Sequence, residues 1–577
     1  MATYRAYLEI DGAGRCLAHV LSLPGCIVRA PSREEALAQL PAAIRSYHSW
    51  LRRHGESVEP EAAVEVEIAE VQSGLGPFER RSRAALFAPD KQPLSVEELE
   101  RHLQLLTYSR SDLLDLVGDL SDELLDWQPH AASFSLRSLL RHVGNAEQWY
   151  VSRLVPASTL PEEWAADEEM PLFEFLEMER RTATARLQRL TTEERSATIY
   201  PTAWSYHPEE PWTARKALRR FVEHEREHTD QARQLLETRR QWLLARLAAA
   251  RAELLEQLLG LSTETLVESP LVGEWTVLDT LVHISAWIHW AHQVMEQMVA
   301  GEEPDIRVAQ NEATIDAKNA DFVRVWRDRT DQLSPSVTVP LAITELEDAL
   351  ARWMGWLEQL PIQELFRRRR YDAAGLGVSD SSGHDWSFDA VLLPIMWGHE
   401  LEHAEQIATW RTTQKIGPEA TPNGAVLRAA VRAARRELLS AVALIPHHER
   451  DSRPVCGEWT LHDIVGHVAD WEWLGVQGLR HMASGQPPVV EHVTDLDGWN
   501  KGHVAARRDQ PWEMVWQDLQ ESGGALVDAL EGMDEETLNR PFSTPWGARG
   551  SPYQWVLVYI DHDRTHARDL QSWRQVP

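Results

Sequence analysis

The sequence predicts a mainly α chain: three tandem four-helix bundles behind a small N-terminal α+β domain. Three observations predict it. A histidine-bearing segment recurs three times, and almost everything after Ser95 carries helical periodicity with few breaks. Residues 1 to about 70 alternate with the period of strands instead. At 577 residues the chain is long enough for several domains.

Tyr4–Ile10 and Cys16–Val20 read as strands around an Asp11-Gly-Ala-Gly turn. Leu23-Pro-Gly-Cys turns tightly into Ile27-Val-Arg-Ala, Ser32-Arg-Glu-Glu caps a helix reaching about His54, and Ala63-Val-Glu-Val-Glu-Ile is a last strand. This β-β-β-α-β unit spans 1–72. Gly74, Gly76, Pro77, Pro89 and Pro93 punctuate a linker over 73–94. The bundles are expected at 95–238, 239–416 and 423–577. Neither Gly nor Pro occurs from Thr213 to Leu259, so the last helix of the first bundle should run into the first helix of the second. Gly417, Pro418, Pro422 and Gly424 separate the second bundle from the third. Each bundle is read as four long helices, with a longer loop before the last, as in Tyr200–Trp212 and Tyr371–Trp386. Such loops commonly cover a site.

The repeat is legible residue by residue. Gly-Glu-Trp-Thr-Val-Leu-Asp-Thr-Leu-Val-His occupies 273–283, and Gly-Glu-Trp-Thr-Leu-His-Asp-Ile-Val-Gly-His occupies 457–467. The first copy, Ser133–His142, lacks the Gly-Glu-Trp. Ser135, Thr276 and Thr460 stand seven residues before the histidine, and Pro129, Pro270 and Pro454 thirteen before it. Ser or Thr ahead of an apolar periodic run is a helix N-cap, and Thr276 with Asp279, or Thr460 with Asp463, has the spacing of a capping box. The histidine falls about two turns into the helix, close to its apolar stripe.

Each lone histidine is followed by a His-x-x-x-His pair. The sets are His142 with His224 and His228, His283 with His399 and His403, and His467 with His562 and His566. Residues four apart share a helix face, so a pair can aim two imidazoles at one point and the earlier helix can add a third. Three neutral nitrogens with an open position form a common catalytic metal site. With 24 histidines a single pair arises about once by chance; its repetition in register is the signal. Gln231, Gln406 and Asp569, three residues after each pair, are the expected hydrogen-bond partners of a ligand. Glu147 and Glu472, five after the lone histidine, should point away from it.

Composition bounds the function. A net charge of -31 argues against nonspecific nucleic-acid binding and against docking on anionic membranes. The three cysteines, Cys16, Cys26 and Cys456, form no Cys-x-x-Cys. The start of the chain lacks a signal peptide's apolar core and no 18-residue apolar run appears, so a cytoplasmic protein is expected. The 25 tryptophans, several in equivalent places (Trp275 and Trp459, Trp287 and Trp471), are expected mainly as core and pocket wall.

The combination Trp-Thr-x-x-Asp-x-x-x-His, then His-x-x-x-His followed by Gln or Asp, resembles the DinB (YfiT-like) superfamily, three times over from Ser95 onward. The resemblance implies a four-helix bundle whose three histidines bind a divalent metal, zinc or nickel. It also implies chemistry on small electrophilic molecules as a thiol S-transferase or hydrolase, with a low-molecular-weight thiol as possible co-substrate. The alternative is a metal-stapled scaffold that binds a small molecule or protein without turnover. Residues 1–72, through the Leu-Pro-Gly-Cys turn and the Ser-x-Glu-Glu-Ala-Leu helix, resemble the HicB-like antitoxin family. No basic DNA-binding tail follows them, so they are expected as a sensing or docking module that could receive a protein partner.

Overall fold

A computed structural model describes residues 2–58, 63–74, 83–130, 133–155, 170–202, 204–302, 304, 312–369, 387–446, 449–545 and 547–573. The loop 371–386 lies outside them. The chain divides into two compact units, one of residues 1–128 with 133–235 and one of 236–577 with 129–132. Among the described residues no helix is long and apolar enough to cross a membrane.

The first unit opens with four strands: β1 (Ala2–Ile10), β2 (Cys16–His19), β3 (Ile27–Ala30) and β4 (Val64–Ser73), in the order β3-β2-β1-β4. The three N-terminal strands pair antiparallel and β4 joins β1 in parallel. The Asp11 carboxylate closes the first hairpin by accepting from the backbone N–H of Ala13 and Arg15, each at 2.9 Å. Helix α1 (Arg33–Arg53) is capped by Ser32 and lays Leu40, Ile44, Tyr47 and Leu51 against the sheet.

The bundle of this unit consists of α2 (Val96–Val117), α3 (Leu136–Val151), α4 (Leu172–Leu187) and the first half of α5 (Ala214–Leu258). One apolar core runs from Leu8 and Leu40 through Leu105 to Phe221 and Val222, so sheet and bundle are packed together. The segment expected as a linker takes part in this packing. Ala85 and Phe87 are buried with Tyr7, and the Phe87 ring lies 5.3 Å from that of Tyr7.

The second unit holds the rest of α5, which is continuous for 45 residues as the lack of breakers predicted. It adds α6 (Val277–Val299), α7 (Glu312–Thr330), α8 (Pro335–Gln359) and α9 (Leu392–Gln414). There follow α10 (Gly424–Ala443), α11 (Leu461–Ala483), α12 (Leu496–Arg507), α13 (Trp512–Glu531) and α14 (Pro552–Trp573). Helices α7 and α12 come in addition to the four long helices anticipated for each of these repeats. Only Val323 and Trp326 of α7 and Val504 of α12 are buried apolar residues, too few to make a clear stripe. Within this unit the two bundles are stitched by charge. Arg564 donates to Glu437 at 3.0 Å and to Glu253 at 2.8 Å, and also pairs with Glu256.

Candidate metal centres

The helices that carry the lone histidines begin where the repeat predicted. Ser135, Thr276 and Thr460 cap α3, α6 and α11, and the two threonines form full capping boxes with Asp279 and Asp463. The Gly-Glu-Trp-Thr motif also has a structural reason. Pro270–Val272 pairs with Trp275–Thr276, and Pro454–Cys456 with Trp459–Thr460, as small hairpins leading into the helix. Gly273 and Gly457 stand at φ +58° and +59°, a left-handed turn that glycine adopts without strain. The hairpin lays Trp275 on His283 and Trp459 on His467, with ring centroids 5.3 and 4.8 Å apart.

All nine histidines come together as the three expected triads, and in each the ligand-type atoms lie within 4.8 Å of one another. The first pair-histidine is the hub. His224 Nε2 lies 3.1 Å from His142 Nε2 and 3.0 Å from His228 Nε2. His399 Nε2 lies 2.8 Å from His283 Nε2 and 3.0 Å from His403 Nε2. His562 Nε2 lies 3.0 Å from His467 Nε2 and 3.1 Å from His566 Nε2. His142 is exposed, whereas His283, His403, His467 and His566 are buried.

The residues three positions on hold the outer side of the pair. His228 Nδ1–H donates to Gln231 Oε1 at 2.9 Å and His403 Nδ1–H to Gln406 Oε1 at 2.8 Å. In the third triad Asp569 Oδ2 is farther, 3.6 Å from His566 Nδ1. Once Nδ1 carries the proton, Nε2 of a neutral imidazole presents a lone pair to the centre.

This arrangement fits a cation. Burial, then the neighbouring imidazoles, push His224, His399 and His562 well below the usual histidine range, and His283 and His467 down to about 3. Those five imidazoles are therefore neutral near pH 7. The hub nitrogen carries at most one proton, yet another Nε2 flanks it on either side. In the first and second triads the Gln-bonded histidine has no Nε2 proton to offer, so one adjacent pair of nitrogens is left without a hydrogen bond. A divalent ion among the three lone pairs removes that mismatch.

The acidic residues near the triads are engaged elsewhere. Glu147 pairs with Arg110 and Arg180, and Glu472 with Arg435 and Ser522, so both point away from the lone histidine as their spacing predicted. Two features escaped the sequence reading. Trp287 and Trp471, four residues after the lone histidine, donate Nε1–H to Asn319 and Asn500 of the additional helices, at 2.7 and 2.9 Å. The second is an arginine, buried at Arg110 and Arg251 and half-buried at Arg435, which stands 32 residues before each lone histidine. Of the loops before the last helices, that at 200–212 places the Trp204 carbonyl 3.0 Å from Trp149 Nε1, which donates to it.

Comparison with known proteins agrees with this geometry. A family model described as the DinB superfamily matches residues 105–232 and 430–570. A stretch of 65 residues, 11% of the chain, is 31% identical to the UPF0150 protein Ta0767 of Thermoplasma acidophilum and covers 94% of that protein. No solved structure gives a significant match. Residues 105–232 and 430–570 are thus similar to the DinB superfamily, and the chain carries besides a stretch of 65 residues that belongs with the UPF0150 proteins.

Proposed function

We propose that the chain is a divalent-metal-dependent enzyme of the DinB type, a thiol S-transferase or hydrolase for small electrophilic molecules. We extend the reading to the middle repeat and place the bundles at 95–238, 239–416 and 423–577, with the UPF0150-like stretch in the N-terminal domain. The observation that carries it is the convergence of three neutral imidazole nitrogens at each of three places. The ligands would be His142, His224 and His228; His283, His399 and His403; and His467, His562 and His566. Zinc or nickel suits a set of three imidazoles. Such an ion, when bound, supplies Lewis acidity and lowers the pKa of a thiol or water beside it.

The chain's own residues do the rest. Gln231 and Gln406 hold the outer ring nitrogens, so that the inner ones stay unprotonated. Trp275 and Trp459 wall the lone histidines with an aromatic face on one side of the centre. Among the described residues Glu147, Glu400 and Asp563 are committed to arginines, and Asp569 faces the outer ring nitrogen of His566 rather than the inner side of its triad. That favours a nucleophile activated by the metal itself, a thiolate or hydroxide.

Metal content per chain, after purification without chelators or a histidine tag, tests the reading. We expect close to one equivalent for each of the three triads, and one fewer when His399 and His403 are both changed to Ala. A chain that stays metal-free after reconstitution would end it; a loaded one justifies screening thiols against electrophiles.

A further inference from the structure

Beneath each triad an arginine largely withdrawn from solvent ties the pair-bearing helix to the rest of its bundle. In the second bundle Arg251 is fully buried. Its Nε and Nη2 donate to the two carboxylate oxygens of Glu400 at 3.0 and 2.9 Å. Its Nη1 donates to Glu347 Oε1 at 2.8 Å and to the Leu346 carbonyl at 2.7 Å. Glu400 directly follows the hub histidine, His399. In the first bundle Arg110 Nε donates to Glu225, which follows His224, at 2.7 Å, and Nη1 to the Leu176 carbonyl at 3.0 Å. In the third Arg435 donates to both oxygens of Asp563, which follows His562, at 2.9 and 3.2 Å, and Nη1 to the Leu519 carbonyl at 3.0 Å. One arginine, one acid after the hub and one carbonyl of the helix opposite recur in the same register three times.

We propose that Arg110, Arg251 and Arg435 are positioning residues for the metal ligands; this rests on the metal reading above. Successive residues on a helix point about 100° apart, so fixing the acid after the hub fixes the direction of the hub imidazole and of its partner one turn on. In the second and third bundles the guanidinium is a planar fork that grips both carboxylate oxygens in one orientation. In the first Arg110 shares Glu225 with Arg180, and in all three a further N–H anchors the arginine to a backbone carbonyl that cannot rotate away. Stability alone does not call for this device. Apolar side chains of similar volume commonly serve a core as well as a buried ion pair does, because desolvating the charges is costly. What apolar packing lacks is directional control of the helix, which a three-nitrogen site needs.

The test uses the full chain with cobalt(II) as the metal, its visible absorption reporting coordination and chelator competition giving each affinity. Arg251→Lys keeps the charge and loses the fork. One of the three sites should then bind roughly 10- to 100-fold more weakly, the loss usual for an outer partner of a ligand, with an altered cobalt spectrum. The urea midpoint of the metal-free protein should stay close to that of the parent. The weakened site should be the one that disappears when His399→Ala and His403→Ala are added. Three parent-like affinities in a folded Arg251→Lys protein would overturn the proposal, as would an affinity loss that merely tracks a loss of metal-free stability. If Arg251→Lys does not fold, Glu400→Gln, which keeps an acceptor for the guanidinium, carries the same two outcomes. A parent chain that binds no cobalt overturns the metal reading and this proposal together.

Discussion

His19 and Glu223, 204 residues apart in the chain, meet in a fully buried ion pair one residue before a histidine of the first triad. His19 Nδ1–H donates to Glu223 Oε1 at 2.8 Å and Nε2–H to Glu9 Oε1 at 3.0 Å. A carboxylate at each ring nitrogen offers both N–H groups of the protonated imidazole an acceptor, which favours the cation. Arg219 lies alongside and donates to Asp90 at 3.0 Å, so sheet, connecting segment and α5 share one charged knot.

The knot makes the first unit pH-sensitive in a defined direction. Burial acts against the charge of His19, but Glu223 and Glu9 outweigh it and its pKa rises above the ordinary 6.5. A histidine that holds its proton more tightly when folded contributes stability that is complete below about pH 6.5 and is lost as pH rises through the raised value. Burial also opposes the charges of Glu9 and Glu223, yet His19 and the arginines bring both below the usual carboxylate range. Their contribution is present above that range and lost in acid. We expect the urea midpoint of the parent to decline on the alkaline side, and His19→Gln to lack that decline. Parallel curves for the two proteins from about pH 6 to 9 would mean that His19 is not the charged partner.

Gly25, in the Leu-Pro-Gly-Cys turn, is the tightest fit between that domain and α5. Its φ is +91°, and an added Cβ would come within 2.7 Å of both Val222 Cγ1 and Arg226 Cδ. Arg226 cannot easily retreat, because it lies 3.9 Å over the Trp50 ring and donates to the Gly25 carbonyl at 3.0 Å. Gly25→Ala therefore adds left-handed strain to overpacking, and should destabilise the first unit by about 2–4 kcal/mol. Gly74→Ala is the control: its φ is +76° but it has open space around it, so only the strain of about 1–2 kcal/mol is expected. Chemical denaturation of the two variants would separate the contributions, and equal losses would show that the turn does not bear on α5.

The third bundle differs electrically from the other two. Arg110 and Arg180 face Glu147 and Glu225, and Arg251 and Arg436 face Glu347 and Glu400, but Arg435 alone faces both Glu472 and Asp563. Burial, only partly offset by Arg435, pushes Glu472 up to about 8. A carboxyl with a raised folded pKa keeps its proton longer folded than unfolded, so stability falls as pH climbs from about 4.5 towards 8. Glu472→Gln should remove that slope and leave the second unit more stable than the parent above neutrality. A variant less stable than the parent at every pH would place the negative charge of Glu472 among the contributions that hold the bundle.

These contrasts mark what a single sequence can and cannot disclose. Helix starts were legible because capping is local: Ser135, Thr276 and Thr460 do their work within one turn. The triads were legible because a capped histidine followed by a His-x-x-x-His pair recurs three times in the sequence. Arg251 was not, since it lies in a helix rich in Arg239, Arg240 and Arg246, and nothing local separates a buried arginine from a solvated one. Its constant distance to His283 was the available signal. Neither could the pairing of His19 with Glu223 be read, because no periodic pattern links a strand residue to a helix 204 residues on. Helices α7 and α12 were missed for want of an apolar stripe; polar contacts tie them to the lone-histidine helices, Asn319 and Arg327 to Trp287 and Asp279, Asn500 and Arg507 to Trp471 and Asp470.

Gln406 offers the most direct measure of how far the second triad depends on its outer contacts. It accepts from His403 Nδ1 at 2.8 Å, whereas Asp569 stands 3.6 Å from His566. The two positions are equivalent in the repeat but unequal in grip. Gln406→Ala frees the His403 ring to rotate and to move its proton to Nε2, where a metal must compete with it, so affinity at that centre should fall roughly 10- to 100-fold. Asp569→Ala, releasing a weaker hold, should cost the third centre less. Acid should act on all the centres alike. Because burial holds His283 and His467 down to about 3, the metal-free fold loses stability as pH drops below about 6.5, where the unfolded chain takes up protons that the folded triads refuse. Bound metal should steepen that loss, since it too must leave before the imidazoles can protonate. Metal titrations of both variants at neutral pH, with urea midpoints of the parent across the acid range, would test the ranking and the sign together. An Asp569→Ala loss larger than that of Gln406→Ala would show that the third triad draws on Asp569 more than its distance implies.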